Sequence, residues 1–130
     1  MSKDILIVDD EAAIREIVGA ILEDEGYRVR RASNSDEALR EVTKRAPSLV
    51  LLDIWLEGSQ LDGVQILERL RGEHPFLPVI MFSGHGTIET AVGAIKKGAY
   101  DFIEKPFKSD RLLLSISRAL EASRLRRENA

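Results

Sequence analysis

The chain has 130 residues, 44% of them hydrophobic and 32% charged, with a net charge of −3. This is the length of one domain able to bury about two-thirds of its unfolded surface, and the slightly acidic balance gives no reason to expect direct nucleic-acid binding by the domain. With no cysteine, disulfides and thiolate metal sites are excluded; with no apolar run near the N-terminus approaching the ~7–15 residues of a secretory signal or the ~20 of a membrane span, a cytoplasmic location without a membrane partner is expected.

Ile5 to Val8 is a short, mostly β-branched apolar run ending in Asp9-Asp10-Glu11, and reads as the first strand. Ile14, Ile17, Val18 and Ile21 recur at helical spacing, giving a first helix from about Glu11 to Asp24 with an acidic first turn and Gly26 as its stop. Tyr27 to Ala32 alternates apolar and basic residues, as an edge strand with one wet face does. Ser33-Asn34-Ser35 offers caps for a second helix with Ala38, Leu39 and Val42 inward, ended by Ala46-Pro47.

Ser48 to Ile54 carries an apolar run, Leu49 to Leu52, that stops at Asp53. Such a run fits a strand buried on both faces of a parallel sheet. After a loop, Trp55 to Leu61, a third helix spans about Asp62 to Arg71, with His74 near its end as a solvated C-terminal histidine. Leu77 to Phe82 is a fourth strand, followed by Ser83-Gly84-His85-Gly86. A fourth helix carries Ile88, Ala91, Val92 and Ile95, with Gly98 as its stop. A fifth strand, about Tyr100 to Glu104, leads into Lys105-Pro106, and a fifth helix begins near Ser109 with Leu112, Leu113, Ile116, Ala119 and Leu120 inward. Strict alternation of strand and helix with short links predicts an α/β fold, a doubly wound five-stranded parallel sheet. The helical pattern runs on through the arginine-rich tail without a Gly or Pro stop, so residues 1–122 are expected to form the domain and residues 123–130 a helical extension leading into further sequence.

In a parallel sheet the carboxyl ends of the strands share one edge, where open α/β folds place their chemistry. That edge should gather Asp9 and Asp10 from the first strand, Asp53 from the third, Ser83 from the fourth and Lys105 from the fifth. Three clustered carboxylates repel, and a hard divalent cation removes that cost; Mg²⁺ takes one or two carboxylates together with waters and a phosphoryl oxygen. Lys105 supplies a positive point charge and Ser83 a hydroxyl for a phosphoryl group. A carboxylate can itself be the nucleophile and form an acyl phosphate. The expected chemistry is attack on phosphorus by Asp53, with Mg²⁺ on Asp10 and Asp53 and the product clamped by Lys105. Ser83 has a second, compatible reading as a cap of the fourth helix, Asp9-Asp10 as helix-terminal acids, and Trp55 as a core residue.

The stretches ILIVDDE, LVLLDI, MFSGHGTIETAVGAIKKGAYDF and IEKPF, in this order and spacing, resemble the receiver domain of two-component response regulators from Ile5 to about Leu120. The last two most resemble nitrogen-regulation regulators of the NtrC/NtrX type. The resemblance implies a flavodoxin-like (βα)5 fold with strand order 2-1-3-4-5. It also implies phosphorylation of Asp53 by a partner histidine kinase, and Mg²⁺ held by Asp10, Asp53 and the backbone carbonyl of Trp55, with Asp9 helping through water. The Lys105-Pro106 bond is expected to be cis. A switch built on Ser83, His85 and Phe102 is implied, as are a homodimer through the fourth helix, fifth strand and fifth helix, and effector domains of a transcription activator beyond the chain.

Two features depart from the family pattern. The segment DIWLEGSQLDG lacks the usual Met-Pro pair and has about two extra residues, so the loop beside Asp53, with Gly58 and Ser59, is expected to be longer and more mobile. The aromatic residue three before the lysine is Phe102, which has no hydroxyl, so its switching is expected to be one of packing. Trp55 and His85 stand at positions that border the path of the attacking water in the family, and bulky Trp55 is expected to slow loss of phosphate. Two other functions use the same inventory. A Mg²⁺-dependent phosphatase with an aspartyl-phosphate intermediate would need an acid/base two residues beyond Asp53, where Trp55 stands, so turnover on an outside substrate is not expected. A pseudo-receiver that only dimerises would take up no phosphate.

Overall fold

The computed structural model describes residues 3–84, 87–106 and 108–128. Five strands, β1 (Asp4–Val8), β2 (Arg28–Ala32), β3 (Leu49–Asp53), β4 (Val79–Ser83) and β5 (Asp101–Glu104), alternate with five helices, α1 (Ala12–Asp24), α2 (Ser35–Lys44), α3 (Gly63–Glu73), α4 (Ile88–Lys96) and α5 (Ser109–Glu128). The strands are all parallel in the order β2-β1-β3-β4-β5, as expected for a chain that starts in the middle of the sheet and winds outward both ways.

The period-2 alternation of side chains divides the core into two layers. Leu6, Val8, Val50, Leu52, Val79 and Met81 pack under α2, α3 and α4 through Ala38, Val42, Ile66, Leu67, Leu70 and Ala94. Ile5, Ile7, Leu49, Leu51, Ile80, Phe82 and Ile103 pack under α1 and α5 through Val18, Leu22, Leu112, Ile116 and Ala119. Both faces of β1, β3 and β4 are therefore dry, which is why those strands read as unbroken apolar runs.

The helix ends follow local chemistry. The Asn34 side chain accepts from the Glu37 N–H at the start of α2, and Asp62 forms a reciprocal capping box with Gln65 at the start of α3. Thr87, not Ser83, caps α4 by accepting from the Thr90 N–H; Ser83 is fully buried as the last residue of β4. Gly26 and Gly98 end α1 and α4 at φ of 92° and 110°, where a side chain would be strained.

Two expectations need correction, and one face needs description. The acids expected in the first turn of α1 precede the helix, which begins at Ala12 with Glu11 as an N-cap that makes no side-chain cap bond. The basic face of β2 is not simply wet: Arg30 lies on Asp4 at 3.2 and 2.7 Å and reaches Glu41, tying the edge strand to β1 and α2. The apolar spacing in α4 does not mark a core face. Ala94 is its buried residue, while Ile88, Val92 and Ile95 face outward at 84%, 46% and 46% exposure. Ala94 meets the core, and the larger apolar side chains turn partly toward solvent.

Candidate functional site

The sheet delivers its chemistry as the topology requires. Asp9 follows β1, Asp53 ends β3, Ser83 ends β4 and Lys105 follows β5, all at one edge. Neighbouring backbone bonds fix their relative heights: the Asp9 N–H donates to the Ala32 carbonyl, the Ile54 N–H to Phe82, and the Lys105 N–H to Ser83 at 2.9 Å. The Lys105-Pro106 bond is cis.

Carboxylate oxygens of Asp9, Asp10 and Asp53 lie within 4.8 Å of one another. Asp9 has no solvent exposure. Its Oδ1 accepts from the Glu11 N–H at 2.8 Å and its Oδ2 from Lys105 Nζ at 2.8 Å. Lys105 Nζ also stands 3.6 Å from Asp53 Oδ2 and 4.9 Å from the centre of the Phe82 ring. Asp53 Oδ1 accepts from the Trp55 N–H at 3.3 Å, a bond that folds the loop back over the acid. Asp53 is only 4% exposed, yet it lines a pocket of about 140 Å³ with Asp10, Glu11, Trp55, Glu57, Gly84 and Lys105. The acid is recessed but open to a small ligand.

Burial pushes the Asp53 carboxyl up to about 6; the charges of Asp9 and Asp10 push the same way, against the Lys105 ammonium and the Trp55 N–H. Lys105 is pulled down by burial, but its bond to Asp9 and the charges of Asp53 and Asp9 outweigh this and leave it above the usual lysine range. An ammonium is thus fixed beside a carboxylate whose burial it only partly offsets. The donor set fits a hard cation, being all carboxylate oxygens and clustered around one point.

Trp55 is 52% exposed beside the acid, so it borders the site and is not a core residue. Phe102 is half-buried against the layer under α4. His85 lies outside the described residues. Ser59, expected in a mobile stretch, is tied down: its Oγ accepts from the Ser35 N–H at 2.8 Å and donates to the Leu61 carbonyl at 2.7 Å.

Two residues escaped the sequence reading. Glu57 adds an acid to the pocket rim. Gly63, first residue of α3, sits where a Cβ would collide with the Asp53 carbonyl oxygen and lie 2.7 Å from Ile54 Cα; its N–H donates to the Ile54 carbonyl. The Asp-Gly pair in the sequence was the available signal, a cap followed by a residue that lets two backbones touch.

A parallel five-stranded sheet in this order, with acids and a lysine converging at its carboxyl edge, defines a class, and the chain belongs to the response regulator receiver domain family, which matches residues 5–117. Within it, the chain is 61% identical over 128 residues to the nitrogen assimilation regulatory protein NtrX of Azorhizobium caulinodans, covering 98% of this chain and 28% of that protein. The solved receiver domain of NtrX from Brucella abortus superposes with a TM-score of 0.88 at 61% identity, over 91% of this chain and 98% of that one. The beryllofluoride-activated NtrC4 receiver domain dimer superposes at 0.86 with 41% identity, over 92% and 98% of the two chains. The chain is thus a receiver domain of the NtrX/NtrC type, and it spans little more than a quarter of the curated relatives it matches. Among the described residues no helix is long and apolar enough to cross a membrane.

Proposed function

We propose that this chain is the phospho-accepting switch of a cytoplasmic two-component response regulator. The observation that carries the reading is the recessed Asp53, open to a small pocket, with Lys105 Nζ 3.6 Å away and two further carboxylates within 4.8 Å. An Asp53 carboxylate oxygen attacks the phosphorus of a phosphohistidine on a sensor kinase. The P–N bond breaks, the imidazole leaves with its electron pair, and an acyl phosphate remains on Asp53. Asp10, Asp53 and the Trp55 carbonyl would hold Mg²⁺, with Asp9 acting through a water; when bound, the ion offsets the charge gathered on carboxylate and phosphoryl oxygens. Lys105 and Ser83 bind the phosphoryl oxygens of the product.

The new group adds up to about two negative charges and three acceptors. Ser83 and the α4 side of the sheet respond to it, and Phe102, lacking a hydroxyl, follows by repacking. Ile88, Val92 and Ile95 of α4, Tyr100 just before β5 and Leu114 of α5 are exposed apolar side chains. This suits a homodimer of receivers, the state in which the NtrC4 receiver was solved. Trp55 over the acid slows attack by water and prolongs the phosphoform. Residues 1–122 act as the receiver, and the segment 123–130, described as the end of α5 up to Glu128, leads toward an effector region that activates transcription, as the names and lengths of the relatives suggest.

The test is intact mass with acetyl phosphate. Wild type should gain one phosphoryl group only when Mg²⁺ is present, and Asp53→Asn should gain none. An equal gain in both proteins would overturn the reading.

A further inference from the structure

The loop that carries Trp55 makes a closed excursion, leaving β3 at Ile54 and returning at Gly63, whose N–H binds the Ile54 carbonyl. Leu56 anchors it in the core, and a second fastening ties it midway to α2. The Ser35 N–H donates to Ser59 Oγ at 2.8 Å, Ser59 Oγ donates to the Leu61 carbonyl at 2.7 Å, and the Leu61 N–H donates to Ser35 Oγ at 3.1 Å. The two serines and Leu61 close a ring of three hydrogen bonds, with Ser35 only 1% exposed. Ser35 opens α2, three residues after Ala32, whose carbonyl binds the Asp9 N–H. The ring therefore joins the loop beside Asp53, through the start of α2, to the segment that binds the backbone of Asp9 just after β1.

We infer that Ser35 and Ser59 are positioning residues for the cation and phosphoryl site: their hydroxyls set where the loop holds the Trp55 carbonyl relative to Asp9 and Asp10. This rests on the reading of the site given above. A flexible loop would have to lose its freedom each time the cation bound; the ring removes that freedom beforehand. Partners behind metal ligands typically change affinity 10–100-fold. A fastening one step further out, whose bonds water can partly replace, should change it about fivefold.

The experiment is an equilibrium Mg²⁺ titration followed by fluorescence of Trp55, the single tryptophan, on wild type, Ser59→Ala, Ser35→Ala, the double variant and Val42→Ala. Val42 lies in the buried face of α2 away from the ring, so its truncation reports the effect of destabilising α2 alone. Both single variants should weaken Mg²⁺ binding about fivefold, the double variant no further, and Val42→Ala not at all. Wild-type affinity in both serine variants, or an equal loss in Val42→Ala, would overturn the positioning role while leaving the site reading intact. Absence of saturable binding by wild type would overturn both.

Discussion

Lys105 is held more closely by Asp9 than by Asp53, at 2.8 Å against 3.6 Å. The acid it neutralises has no solvent exposure. On the proposed reading the same ammonium has two tasks, compensating Asp9 at rest and meeting the phosphoryl group after transfer.

Truncating Lys105 to Ala should therefore destabilise the metal-free chain by about 3 kcal/mol, because a buried charge loses its partner. Mg²⁺, bound among the same carboxylates, should recover part of the deficit. Urea unfolding with and without Mg²⁺ measures both. Equal stability of wild type and variant in EDTA would contradict the assignment.

The Asp53 carboxyl, pushed up to about 6 from an ordinary 3.8, makes a second prediction. Between about pH 4 and 6 the folded chain holds a proton that the unfolded chain has released, so stability from this group is full below about pH 4 and falls as pH rises through 6. In EDTA at pH 7.5, Asp53→Asn should stabilise the domain by up to about 3 kcal/mol, and the advantage should fade by pH 4. A variant that is no more stable than wild type at pH 7.5 would count against a strained carboxylate.

At Gly63 the expected effect is steric. Gly63→Ala drives a methyl group into the Asp53–Ile54 backbone, and overpacking of this kind costs about 1–3 kcal/mol. The displaced backbone should also slow uptake of phosphate from acetyl phosphate at saturating Mg²⁺, whereas Gly72→Ala, in open space on the same helix, should do neither.

The apolar face of α4 has its own test. Ile95→Glu should keep phosphorylation of Asp53 intact and abolish any phosphorylation-dependent dimer, read by sedimentation of the phosphorylated chain. Ile95 is 46% exposed, so the thermal midpoint should barely move. Dimerisation undiminished by the charge would place the interface elsewhere.

How much of this was legible depends on what kind of signal each residue leaves. Leu49 to Leu52 ending in Asp53 was readable because a strand dry on both faces leaves an unbroken apolar run, and parallel alternation sends every strand end to one edge. The α4 face was not: Ile88, Val92 and Ile95 give helical spacing whether they meet a core or a partner, and only packing shows that alanine faces the sheet. Asn34 as the cap of α2 was within reach of local rules, while the pairing of Ser35 with Ser59 joins residues with no local pattern between them. Arg30 was misread for the same reason, since its acid partners lie on β1 and α2.

The most direct measurement is to trap the acyl phosphate chemically. Borohydride reduction of the chain after brief exposure to acetyl phosphate and Mg²⁺ converts an aspartyl phosphate to homoserine, and peptide sequencing locates it. Homoserine at position 53 alone is the predicted result; homoserine at position 9 or 10, or none in a chain that has gained phosphate, would contradict it.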